Sequence, residues 1–152
     1  MNIDNRFETE AVKKYRASIE KKKISLFLKL LFDKVLALIL LIPLSPIILG
    51  IAIWIKLDSE GPVFYRQERI TTYGRTFRIF KFRTMVKDAD KLGTAVTQQN
   101  DPRISKVGHK LRKLRLDELP QLINVLIGDM SFVGVRPEVA KYVDKYTDEM
   151  NA

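Results

Sequence analysis

Few residues in this chain can carry chemistry. There is no cysteine, and His109 is the single histidine. Disulfides and thiolate metal sites are thereby excluded, and a Ser-His or Cys-His pair would have to run through His109. Two adjacent carboxylates, Asp117 and Glu118, stand in the stretch "RLDELPQLINVLIGDM". Leu119, Leu122, Ile123 and Leu126 follow at helical spacing, Gly128 suits a helix stop, and Pro120 is tolerated only within a first turn. The spacing predicts Asp117 at or beside an N-cap and Glu118 in the first helical turn.

Two readings of this pair stand side by side. An aspartate at an N-cap simply satisfies free amides. Alternatively, the helix dipole with Arg112 and Arg115 keeps Asp117 ionised. An ionised carboxylate can attack phosphorus and form an acyl phosphate. Its neighbour can hold Mg²⁺, which takes oxygen ligands and neutralises phosphate charge. Adjacent helical residues point about 100° apart, so the two acids can do different jobs.

Such a pair needs elements to place it, and one element dominates the composition. "VLALILLIPLSPIILGIAIWI", from Val35 to Ile55, carries no charge. At about 1.5 Å per residue it is long enough for a bilayer core of roughly 30 Å. Lysines and arginines flank it on both sides, and positive flanks prefer the cytoplasm. Pro43 and Pro46 each remove a backbone donor, and the Ser45 hydroxyl can satisfy a carbonyl they free. The expectation is a helix, a break at Ser45 and Pro46, and a second helix returning to the same side. A kinked crossing helix is the competing arrangement. Trp54 fits an interfacial anchor in both.

The whole chain holds 27 lysines and arginines against 18 acids, a net charge of +9. That excess suits an anionic partner. The N-terminal stretch to residue 32 reads as a basic surface helix or tail drawn to anionic phospholipid. After Lys56, turn residues lead into a strand over Val63–Ile70, a turn at Gly74, and a second strand in "TFRIFKFRTM". Phe77 and Ile79 share one face of that strand, Phe80 and Phe82 the other. The basic residues of this hairpin are either a solvated face or a phosphate pocket. "ISKVGHKLRKLRL" has helical spacing, with Val107, Leu111 and Leu114 on one face and Lys106, Lys110 and Lys113 on another. No nucleic-acid-binding signature accompanies the charge, so no nucleic-acid partner is expected. The fold class is α+β, mainly helical: a membrane helix-break-helix (33–57) and a small cytoplasmic domain (58–152) with a short β-hairpin.

Several stretches now match together: "LSP" inside the apolar run, "GPVFYRQERI", "FRIFKFRTM" and "DPRISKVGHKLRKLRLDELPQLINVLIGDMSFVGVRPE". In order and spacing they resemble the bacterial sugar transferase family, the monotopic phosphoglycosyl transferases. The resemblance implies transfer of sugar-phosphate from a UDP-sugar to a polyprenyl phosphate such as undecaprenyl phosphate, releasing UMP. It implies Mg²⁺ and a phosphosugar-aspartate intermediate, with Asp117 as nucleophile and Glu118 as its metal-associated partner. It also implies a re-entrant helix broken at Ser45 and Pro46, seated on the cytoplasmic face of the bacterial inner membrane. Basic positions in the shared motifs, Lys81, Arg83, Arg103, Arg112 and Arg136, are candidates to bind substrate phosphates. Later glycosyltransferases and a second copy of the chain are further candidate partners. Family members continue past the "RPE" element, so the sequence also admits a truncated, inactive membrane-surface scaffold.

Overall fold

The computed structural model describes residues 22–71, 75–89, 101–135 and 137–139. The long helix α1 spans Lys23–Asp58. Its run of Leu, Ile and Ala has good helical propensity and closes its hydrogen bonds within the segment. The predicted break is not present as a gap between two helices: α1 runs unbroken through Pro43 and Pro46. The reason lies in the side chain between them. Pro46 has no N–H to give to the Ile42 carbonyl, and the Ser45 hydroxyl donates there instead, at 2.7 Å. Leu38, Ile39, Ile42 and Leu49 along this stretch are exposed.

Both ends of α1 rest on the same small domain. Near its start, Asp33 accepts a hydrogen bond from Ser131. At its end, Asp58 accepts the Val107 N–H. Ile51 and Ile55 enter the core with Phe82, Val107 and Leu111. Arg83 closes the C-terminus, donating to the carbonyls of Ser59 at 2.7 Å and Glu60 at 2.8 Å. These are the carbonyls that a helix end and its exit turn leave without partners.

Strands β1 (Phe64–Ile70) and β2 (Thr76–Phe82) form an antiparallel hairpin, from Phe64 opposite Phe82 to Ile70 opposite Thr76. The expected turn at Gly74 lies outside the described residues. Two strands alone are marginal in water, and here the edges are covered. The Ile70 N–H donates to Glu138 O at 2.9 Å on one side. On the other, the Asn124 side chain accepts from Phe80 N at 2.8 Å and donates to Arg78 O at 3.0 Å. One amide thus imitates a neighbouring strand.

Helix α2 (Lys106–Lys113) is N-capped by Ser105, whose hydroxyl accepts the Gly108 N–H at 3.0 Å. Gly108 lies so close to β2's extension that a Cβ would fall 2.0 Å from Thr84 O. Val107 and Leu111 are buried as expected, but Leu114 is 64% exposed. The helix ends before it, and Arg115 in the left-handed region (φ 57°) turns the chain away. Lys106, Lys110 and Lys113 all face solvent, and the Lys110 ammonium lies 5.3 Å from the Trp54 ring centroid. A single 3₁₀ turn, Leu116–Glu118, leads to helix α3 (Gln121–Ile127). Gly128 ends α3 at φ 92°, the left-handed stop that glycine takes without strain. The buried positions of α3 are Asn124 and Val125, not the leucine stripe. Leu119, Leu122, Ile123 and Leu126 are only partly buried, because Asn124 rotates the helix so as to reach β2.

Candidate active site

The two carboxylates do not sit at a helix N-cap. Pro120 holds that position, and Asp117 and Glu118 occupy the 3₁₀ turn before it. Proline's fixed φ suits a helix start, and its missing N–H needs no partner there. Arg115 sets up the turn: its left-handed backbone reverses the chain out of α2, and its carbonyl accepts the Glu118 N–H at 3.4 Å.

The acids face different surroundings. Glu118 pairs with Lys81 of β2 at 3.0 Å. Asp117 is partly buried, and its Oδ1 has no hydrogen-bond partner among the described residues. Burial pushes the Asp117 carboxyl above its ordinary value, Lys81 pulls it down, the Glu118 charge raises it, and Arg112 pulls it down again. The net direction is upward. Desolvation outweighs the cations that the sequence places beside it.

A cleft of about 190 Å³ opens beside the turn. Arg69, Lys81, Glu118, Gln121, Ser131 and Phe132 are among its lining residues. Asp117 does not line it, in keeping with the different directions of adjacent side chains. Lys81 links the two, bonded to Glu118 and acting on Asp117. Arg69 of β1 donates to Gln67 Oε1 on the same strand at 2.8 Å and reaches Pro137 O at 3.3 Å, with its Nε buried and without a partner among the described residues.

The profile of a family described as bacterial sugar transferase matches residues 24–152. The chain belongs to the bacterial sugar transferase family. It is 47% identical over 117 residues to the UDP-N-acetylgalactosamine-undecaprenyl-phosphate N-acetylgalactosaminephosphotransferase of Aeromonas hydrophila, covering 76% of this chain and 28% of that protein. It is 47% identical over 124 residues to the UDP-glucose:undecaprenyl-phosphate glucose-1-phosphate transferase of Escherichia coli, covering 81% and 26%. It is 40% identical over 146 residues to the undecaprenyl-phosphate galactose phosphotransferase of Salmonella typhimurium, covering 86% and 30%. The chain thus spans between a quarter and a third of the length of these relatives. Their names carry three different sugars.

Within this family member the cations named from the sequence have separate surroundings. Lys81 and Arg112 act on the acids directly. Arg112 is also held by its Nε, which donates to Thr84 Oγ1 at 2.8 Å. Burial depresses its guanidinium, and Asp117 and Asp101 oppose that. Arg83 is turned to the end of α1. Arg103 forms a two-pronged pair with Asp101, at 2.9 and 2.6 Å. Arg136 lies outside the described residues.

Arg69, one of the hairpin's basic residues, lies in the cleft wall. Two features escaped the sequence reading: Asn124 pins α3 to β2, and Asp33 anchors the loop carrying Ser131. Each left a signal. Asn124 interrupts an apolar helix, and Asp33 is the one acid just before the uncharged run.

Proposed function

We propose that this chain transfers sugar-phosphate from a UDP-sugar to a polyprenyl phosphate at the cytoplasmic face of the bacterial inner membrane. The observation that carries the reading is Asp117 Oδ1, without a partner among the described residues, beside the Lys81–Glu118 pair. A carboxylate oxygen with no hydrogen-bond donor keeps its lone pairs for a reaction. In the proposed first step Oδ1 attacks the sugar-bearing phosphorus of the donor. The bond from that phosphorus to the bridging oxygen breaks, and UMP leaves. In the second, a lipid phosphate oxygen attacks the same phosphorus, the bond to Asp117 breaks, and polyprenyl diphosphate sugar is released. Lys81 and Arg112 offset the negative charge gathered in both steps.

Mg²⁺ fits the donor set. Glu118 would supply a carboxylate oxygen of the kind it takes, and no group of three or more acids or histidines surrounds a metal position among the described residues. Its other ligands would be water and donor phosphates, the usual arrangement for this ion. When bound it neutralises diphosphate charge and eases departure of UMP.

The membrane arrangement proposed is a helix that dips into one leaflet. Support comes from α1: its two ends contact one domain, at Ser131 and at Val107. A straight crossing by residues 35–55 would put those contacts on opposite sides of a bilayer. The exposed lysines at both ends, Lys22, Lys23 and Lys56, suit anionic headgroups.

The test is UMP release from a panel of UDP-sugars with Mg²⁺ and no lipid acceptor. A burst approaching one UMP per enzyme supports the covalent route, and strict dependence on polyprenyl phosphate refutes it. In the scaffold reading no UDP-sugar yields UMP at all, while the chain still associates with membranes.

A further inference from the structure

We infer that Lys29, Asp33 and Ser131 form a positioning latch, which ties the start of α1 to the wall of the donor cleft. The inference rests on the donor-binding reading of that cleft. Asp33 is 4% exposed, although it sits on a helix whose neighbouring side chains are largely bare. The Ser131 hydroxyl donates to its Oδ2 at 2.6 Å, and the Lys29 ammonium donates to the same oxygen at 3.0 Å. Lys29 also donates to the Ser131 hydroxyl. These three groups therefore bond one another mutually, across 98 residues of chain between Asp33 and Ser131.

Ser131 lines the cleft, and the chain runs on from it through Phe132, Gly134 and Val135, which line it too. The loop is fixed at its base, where the Asn124 carbonyl accepts the N–H groups of Gly128, Asp129 and Met130. It is fixed at one side, where Arg75 holds Asp129 at 3.0 Å. Beyond Met130, the Asp33 carboxylate supplies the next tie, and it comes from the membrane-seated helix. A withdrawn charge holds its place only with its partners present. Undocking α1 would separate Asp33 from Ser131 and free the cleft wall. The donor site is thereby coupled to the seating of the helix beside the bilayer.

Donor kinetics of the full chain in lipid nanodiscs test this. Ser131→Ala keeps the Lys29–Asp33 pair and the Phe132 N–H bond to Asp33, but removes the side-chain tie to the wall. It is expected to raise KM for the UDP-sugar roughly tenfold, the usual order for a hydrogen bond to a charged group, with kcat nearly unchanged. A purely structural role would lower the active fraction, and with it kcat, and leave KM alone. Asp33→Asn should add little on top of Ser131→Ala, because both break the same tie. An unchanged donor KM in Ser131→Ala, or fully additive effects, would overturn the latch. If the wild-type chain releases no UMP, the transfer reading fails, and hydrogen exchange still tests the latch. The Phe132 amide, which Asp33 accepts, should exchange faster in Ser131→Ala while β1 and β2 stay protected, and equal exchange overturns it. Should Asp33→Asn fail to fold, the Ser131→Ala arms stand alone.

Discussion

Asp33 and Asp117 are both aspartates drawn away from water, and their surroundings treat them in opposite ways. Asp33 is almost wholly enclosed, and its buried carboxylate meets an ammonium and a hydroxyl. Asp117 is enclosed less, yet one of its oxygens meets no donor among the described residues. Burial with partners makes an anchor. Burial without them leaves a carboxylate whose charged form is disfavoured. In the proposed reading the unsatisfied group, not the more buried one, is the reactive centre.

The sharpest way to break the comparison is Asp117→Asn. Transfer should fall by at least about a thousandfold, as for loss of a nucleophile, with membrane association retained in a flotation assay. Activity within tenfold of wild type would move the nucleophile elsewhere. Next comes Lys81→Met, expected to cost roughly a hundredfold in kcat/KM through lost stabilisation of developing charge. It also sharpens the electrostatic account. Asp117 must be ionised to attack, so the rate falls as pH drops through its raised pKa. Lys81 holds that pKa down, so its removal should shift the acid limb of the pH–rate profile to higher pH.

Stability should separate the two acids by sign. The folded-state pKa of Asp117 lies above its unfolded value of 3.8, so ionised Asp117 works against folding. That penalty is absent below the unfolded pKa, grows as pH rises through the folded one, and is complete above it. Asp117→Asn should therefore raise Tm at neutral pH, and the gain should vanish in acid. Asp33→Asn should lower stability by about 1–3 kcal/mol, because it breaks a charged hydrogen-bond cluster. Thermal melts of both variants at two pH values decide this, and shifts of the same sign would end the contrast. The smallest effect belongs to Gly128→Ala, at the base of the Ser131 loop. Its φ of 92° strains any side chain, so a loss of about 1 kcal/mol is expected in denaturant unfolding.

Much of this was legible in the residues because the signals are local. Uncharged length announced α1, alternation announced the β1–β2 hairpin, and Gly128 announced the end of α3. Ser45 was legible too, since a hydroxyl next to a proline can replace the lost donor. The errors came where distant partners decide. Leucine spacing pointed to the wrong face of α3, because Asn124 is drawn to a strand edge 44 residues away in sequence. The N-cap expectation for Asp117 gave way to a 3₁₀ turn, since Pro120 took that position and Arg115 reversed the chain.

Taken alone, the order of residues determined that an apolar helix accompanies a small basic α+β domain, that two acids stand together after a basic helix, and that the family is one of sugar transferases. Only the tertiary structure decided which acid is satisfied and which is left open, which cations reach them, and what holds the cleft wall. The physical reason is that periodicity and propensity act over a few residues, whereas hydrogen-bond satisfaction and desolvation depend on partners folded in from far along the chain.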